Sequence, residues 1–316
     1  EPFNKLRKLL SYEADAQVAY FSGGFANTKY LIDKKGEFAS GLLHDVEDFL
    51  LAMNIKYDFK DMRIKPKTPT VAFKANFKHK PYSAQLKATE AALRSHRGII
   101  NMPTGSGKSV VIAMIIARLN VKTLVIVPNL AIKEQLQEGL KEIFGNSKNI
   151  TVENIDSSAL DALTGFDCLI IDESHHVAAK TYQNLNKKAW KGIYYRFFLT
   201  ATPFRNQDNE QMLFKGIAGQ LIFKLTYQEA VKAGNIVPVE AYYVEIPKIK
   251  TDAYTWAEVY SELVVNRTDR NAKIVDLCSG LDASGVSTLV LVKEIKHGTN
   301  LAELSGFPFT NGQDEE

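Results

Sequence analysis

Through the middle of the chain, apolar residues fall into short, mostly apolar runs separated by longer stretches with helical spacing. Runs at 98–102, 123–127, 151–155, 168–171 and 194–199 read as strands, and apolar periodicity predicts helices over 108–119, 130–144, 157–163 and 175–190. A run that is apolar at every position suits a strand covered on both faces. Its alternation with helices predicts an α/β fold with a mostly parallel sheet. Ligands of such sheets bind beyond the carboxyl ends of the strands.

The pattern changes on either side, so the sequence divides into regions 1–77, 78–245 and 246–316. The first reads as a small α+β unit. It has strand-like segments at 17–21 and 28–32 around Ser22-Gly23-Gly24, then a turn at Asp33-Lys34-Lys35-Gly36. Leu42, Leu43, Val46, Phe49, Leu50 and Met53 follow at helical spacing. Lys65-Pro66-Lys67-Thr68-Pro69 reads as a linker, because each proline biases its predecessor away from helix. The last region carries helical stretches at 253–265 and 269–279, a strand at 288–292, a helix from His297 and the polar tail Gln313-Asp314-Glu315-Glu316.

A composition of 45% hydrophobic and 24% charged residues over 316 positions is that of an ordinary globular protein of about two domains. The net charge of +3 does not announce a nucleic-acid partner, but its distribution points further: between Lys60 and Arg97 ten Lys or Arg stand against two acids, Asp61 and Glu90. Such a run is either a solvated face or a surface for phosphate backbones. Cys168 and Cys278 are far apart, which fits a reduced, cytoplasmic setting. The longest apolar run, 110–117, is too short to span a bilayer, so no membrane partner is expected. Glu1 at the first position reads as a sign of processing or trimming.

Three motifs stand at the ends of predicted strands. Pro103-Thr104-Gly105-Ser106-Gly107-Lys108-Ser109 joins a strand to an apolar helix. Glycines let backbone N–H groups close around phosphate oxygens, and the helix start adds its dipole. Lys108 is expected to reach the β- and γ-phosphates of ATP, and Ser109 to ligate Mg2+. Met102 occupies the position where the eight-residue pattern asks for glycine. Asp172-Glu173 ends the run 168–171, with Asp172 expected to hold Mg2+, partly through water, and Glu173 to polarise the attacking water. Read alone, the same pair is an acidic first turn of a helix. In Thr200-Ala201-Thr202-Pro203, Thr200 and Thr202 are candidates for a hydrogen-bonded link to His175, or for a plain strand-end turn.

Gly-Ser-Gly-Lys-Ser, Asp-Glu-Ser-His and Thr-Ala-Thr-Pro, in this order, resemble the motifs of superfamily-two helicases of the DExH type, in particular the phage UvsW-like and XPB-like branch. The resemblance is strong from about residue 80 to 240 and extends through Leu225-Thr226-Tyr227-Gln228-Glu229-Ala230 and Gly234-Asn235-Ile236-Val237-Pro238. It implies a RecA-like first motor domain, with Lys108, Asp172, Glu173 and His175 in the hydrolytic centre. Thr104, Gly105, Ser106 and Gly107 would wrap the phosphates, and Tyr82 and Gln85 would read adenine. A Gln amide can bond both the ring nitrogen and the amino group of that base; the alternative is a helix start with Gln85 solvated. The resemblance places strand contacts at Pro128, Asn129, Gln135 and Ser157, and the start of a second RecA-like domain after residue 246.

That second domain supplies arginines in this family, from a segment containing Gly-Arg. The dipeptide is absent here, so the chain reads as truncated, binding ATP but hydrolysing it slowly without unwinding. The implied whole is a monomeric ATP- and Mg2+-dependent DNA helicase or translocase. Its substrates would be forks and junctions in phage recombination, replication or repair, in a host cytoplasm. An RNA helicase, a restriction-type motor subunit, and an ATP-binding module without motor activity are the other readings.

Overall fold

The computed structural model describes residues 1–14, 27–67, 74–174, 180–202 and 208–311. Contacts divide the chain into two units, Glu1–Pro238 and Val239–Glu316.

The first unit begins with helix α1 (Pro2–Leu9) and an antiparallel pair, β1 (Ser11–Ala14) and β2 (Asn27–Tyr30). A 3-10 turn at Ser40–Leu42 leads into α2 (Leu43–Ala52). Leu6, Leu10, Ile32, Leu42 and Val46 make a small separate core. The strand expected at 17–21 lies outside the described residues, and α1 and β1 were not legible as elements. Polar contacts pin this small fold to the rest of the unit. Asp45 pairs with Lys215 at 2.5 Å, and Arg97 donates to the Ser40 hydroxyl and the Ile217 carbonyl, both at 2.6 Å.

Next come α3 (Ser83–Ser95), β3 (Arg97–Asn101), α4 (Lys108–Leu119), β4 (Thr123–Val127), α5 (Leu130–Phe144) and β5 (Ile150–Asn154). A second series comprises β6 (Cys168–Ile171), α6 (Lys180–Lys187), β7 (Tyr195–Thr200), α7 (Asp208–Ala218), β8 (Leu221–Lys224) and α8 (Tyr227–Lys232). The six strands β3 to β8 form one parallel sheet in the order β5-β4-β6-β7-β3-β8. From β3 the chain runs outward to β4 and β5, then returns to fill the gap with β6 and β7. The carboxyl ends of β6, β7 and β3 therefore stand side by side.

Alternate residues of each strand feed the two faces. Ile100, Val125, Val127, Ile170, Phe197 and Leu199 pack with Ala88, Val111, Ile115 and Leu136 from α3, α4 and α5. Ile99, Leu124, Ile126, Leu169 and Phe198 pack with Tyr182, Leu185, Trp190, Phe214 and Ile217 on the other side. Burial on both faces is why the interiors of the central strands are largely apolar. Arg196 is a buried charged exception, and its guanidinium donates to the Ile193 carbonyl, the Trp190 carbonyl and Asn186. The helix expected over 157–163 contracts to a 3-10 turn at Leu160–Ala162, because only Leu160 is buried there and a longer amphipathic face is lacking.

The second unit holds α9 (Trp256–Tyr260), a π-helical turn at Ser261–Val265, α10 (Thr268–Ala283) and α11 (Ile295–Ser305). The strand expected at 288–292 does not form. A strand needs a ladder partner, and this unit contains no other strand among the described residues. Leu289 and Leu291 consequently stand 82% and 84% exposed.

Candidate functional site

Between β3 and α4 the chain turns sharply around two left-handed glycines, Gly105 (φ +81) and Gly107 (φ +80). The Ser106 hydroxyl and N–H both donate to the Pro103 carbonyl, at 2.6 and 3.2 Å, and Gly107 accepts from the N–H of Val110 at 3.0 Å as α4 begins. Nothing lies within 4 Å of where a Cβ on Gly105 would sit. Space thus lies open beside Gly105 just before a helix starts, which suits an anion. Met102 breaks the sequence pattern because its side chain is fully buried in the core, while its N–H donates to the Thr200 carbonyl at 3.0 Å. That bond ties the loop to the end of β7.

Lys108 points across to the end of β6. Its ammonium lies 3.0 Å from the Glu173 carboxylate, with side chains only 9% and 24% exposed. Glu173 has a left-handed backbone (φ +47), and its N–H donates to the Asp172 carboxylate at 3.0 Å. Burial raises the Asp172 pKa from its ordinary value, opposed by the nearby Lys108 and by the Glu173 N–H. Ser109 is exposed at the first turn of α4. Among the described residues no group of three or more His, Cys, Asp or Glu side chains could hold a metal ion. The fitting donors are hard oxygens, the Ser109 hydroxyl and the Asp172 carboxylate. A divalent cation held by them takes its remaining ligands from phosphate and water.

Thr200 is fully buried at the end of β7, and its hydroxyl accepts the N–H of exposed Thr202 at 3.1 Å. His175 and Pro203-Phe204-Arg205 lie outside the described residues. Ser174, which sequence reasoning passed over, is fully buried with a hydroxyl that finds no partner among the described residues.

Gln85 is 3% exposed, so it is not a solvated helix-start residue. Its amide oxygen accepts the Tyr82 N–H at 2.8 Å and its amide nitrogen donates to the Ser106 carbonyl at 3.0 Å. The side chain therefore bridges α3 and the glycine turn. Tyr82 is half-exposed beside it.

The positions singled out for strand contact come after β4 and β5 on the same edge of the sheet. Pro128 and Ser157 are half-buried, while Asn129 and Gln135 are exposed. The Asn129 side chain caps α5 by accepting the Ile132 N–H at 2.9 Å, and the Ser157 hydroxyl accepts the Ala159 N–H at 3.3 Å. Of the basic run, Arg97 turns inward, Arg63 is paired with Asp61 at 2.7 Å and lies over the Tyr194 ring, and Lys78 pairs with Glu142. Lys60, Lys65, Lys67, Lys74, Lys80, Lys87 and Arg94 remain on the surface.

A family model described as Type III restriction enzyme, res subunit, matches residues 78–162 and 158–205. The chain is 32% identical over 159 residues to the DNA 3'-5' translocase XPB2 of Sulfurisphaera tokodaii, covering 46% of this chain and 36% of that protein. Over an alignment of 327 positions it is 27% identical to the protein named "Putative helicase 22" of Sulfolobus islandicus filamentous virus, covering 82% of this chain and 57% of that protein. The chain thus spans about a third to three fifths of the length of these curated relatives. Among solved structures, the UvsW helicase of bacteriophage T4 superposes with a TM-score of 0.56 at 18% identity, over 70% of this chain and 92% of that one.

Proposed function

We propose that this chain, a member of the superfamily-two DExH helicases, takes part in an ATP- and Mg2+-dependent motor that moves along or unwinds DNA. The observation that carries the reading is the 3.0 Å approach of Lys108 to Glu173, which joins the glycine turn after β3 to the acid pair after β6 across the end of β7. The sequence motifs demanded that convergence.

Each group has a distinct task. The turn from Thr104 to Gly107 offers backbone donors to the triphosphate, and Lys108 supplies positive charge to its outer phosphates. Mg2+, when bound, would neutralise phosphate charge from a position shared by Ser109 and Asp172. Glu173 is placed to accept a proton from the attacking water once phosphate draws Lys108 away from it. Gln85 fixes the turn against α3, and Thr200 and Thr202, hydrogen-bonded to each other and to the turn through Met102, are placed to pass its movement along β7.

Sequence-independent attraction to the strand would come from the exposed lysines between 60 and 87, with Pro128, Asn129, Gln135 and Ser157 on the sheet rim. Forked or junction DNA, in phage recombination or repair within a cell, is the substrate suggested by the likeness to UvsW. Expected behaviour of the full-length protein is ATP hydrolysis stimulated by forked or single-stranded DNA, abolished by Lys108→Ala and Glu173→Gln. The glutamine variant alone should retain ATP binding. Stimulation by RNA and not by DNA would refute the DNA reading, and ATP binding without stimulation by any strand would refute the motor.

A further inference from the structure

In the unit Val239–Glu316 one stretch of chain is held firmly although it buries little of itself. Helix α9 opens on a capping box, the Thr255 hydroxyl accepting from the Glu258 N–H at 3.3 Å and the Glu258 carboxylate from the Thr255 N–H at 3.0 Å. The helix runs into the π-helical turn, whose last residue, Val265, is fully buried. The Val265 carbonyl accepts from Asn271 of α10 at 2.9 Å and from Asn300 of α11 at 3.1 Å. Upstream, the Thr251 hydroxyl donates to Glu262 at 2.6 Å and Arg267 donates to the Pro247 carbonyl at 2.5 Å.

The surface that this frame presents to water is aromatic. Trp256 is 72% exposed and Tyr254 98%. Tyr260, four residues on and so on the same helical face, lies tilted against Trp256 with ring centres 6.1 Å apart. The Lys293 ammonium sits 5.4 Å from the centre of the Tyr260 ring. An indole left in water contributes little to folding; the other tryptophan, Trp190, is fully buried. Two nearby acids, Glu258 and Glu262, are engaged by the helix cap and by Thr251.

We propose that Trp256, Tyr260 and Lys293 form a stacking platform for unpaired bases of a nucleic-acid strand. Every base has a π-face, so an aromatic pair at this spacing grips without reading sequence, and the adjoining ammonium attracts the phosphate that accompanies each base. Duplex interiors hide those faces, so the partner is a single strand. The inference rests on the nucleic-acid reading above but does not need hydrolysis.

The chain contains two tryptophans, and the buried Trp190 is out of reach of a ligand, so the change in indole emission on binding that is lost in Trp256→Phe reports on Trp256. Strand binding is followed in parallel by anisotropy of a labelled oligothymidylate. Expected are quenching by oligothymidylate, none by an abasic strand of equal length, and a roughly tenfold weaker affinity in Trp256→Ala, largely restored by Trp256→Phe. Binding with undisturbed indole emission and an unaffected Trp256→Ala variant would overturn the platform while leaving the DNA reading intact. Equal quenching by the abasic strand would overturn stacking in favour of a phosphate contact. Quenching by duplex but not by single strand would overturn the choice of partner. No binding of any strand in the anisotropy channel would remove the platform together with the nucleic-acid reading.

Discussion

Gly105 and Gly107 share a backbone conformation but not a neighbourhood, so replacing each by alanine separates two costs. At φ near +80° any Cβ costs about 1–2 kcal/mol. For Gly105→Ala that is the whole penalty, because the new methyl meets open space. On Gly107 the methyl would stand 2.3 Å from the Gln85 amide nitrogen. Gln85 would have to withdraw, leaving the Ser106 carbonyl and Tyr82 N–H without their buried partner. Losing those bonds adds about 1–3 kcal/mol, so Gly107→Ala should cost about 2–5 kcal/mol in all. The assay is urea unfolding of both variants, of Gln85→Ala, and of the double variant Gly107→Ala/Gln85→Ala. Because the double variant removes the colliding side chain, it should be less destabilised than the sum of its parts by about 1–3 kcal/mol. Equal midpoints for the two glycine variants, together with an additive cycle, would refute the idea that Gln85 braces the turn.

The same geometry sets three further outcomes. Burial holds the Asp172 pKa above its unfolded value, so folding favours the proton there: stability from this group is present at low pH and declines as pH rises through the window from about 3.9 to the raised value. Asp172→Asn, measured by thermal unfolding without Mg2+, should therefore gain on the wild type as pH climbs through that window and hold the gain above it; a gain confined to acid pH would contradict the sign. Arg97→Ala removes one hydrogen bond from β3 to the amino-terminal fold and one to the end of α7, and should lower stability by about 2–4 kcal/mol, read from urea midpoints. Lys215→Ala removes a half-exposed pair with Asp45, and a loss above about 1 kcal/mol in the same assay would show that pair to be stronger than its exposure allows.

The central sheet was legible because double-sided burial writes itself as mostly apolar runs, and the helices 108–119 and 130–144 because each keeps one period over several turns. β8 escaped notice since Leu221–Lys224 is a short edge strand whose positions are half-buried or exposed. At 288–292 the opposite error arose, for Leu-Val-Leu-Val satisfies a strand pattern whether or not a neighbour exists to complete the ladder. In the site, the approach of Lys108 to Glu173 was legible because both motifs stand at the carboxyl ends of strands of one parallel sheet. Two features were not readable: that Gln85 spends both ends of its amide on the chain's own backbone, and that one member of the basic run, Arg97, faces inward. Both depend on which long-range neighbour is near, and local sequence carries no record of that.

The attachment of the small amino-terminal fold has a mechanical corollary. Its two anchors, Asp45 to Lys215 and Ser40 through Arg97 to Ile217, grip the far end of α7, and Arg97 itself opens the strand that leads into the glycine turn. Whatever residues 1–14 and 27–52 touch is therefore joined to the body that carries the glycine turn, as a blade is to its handle. A partner resting on that blade would be carried with the sheet for as long as these two contacts hold.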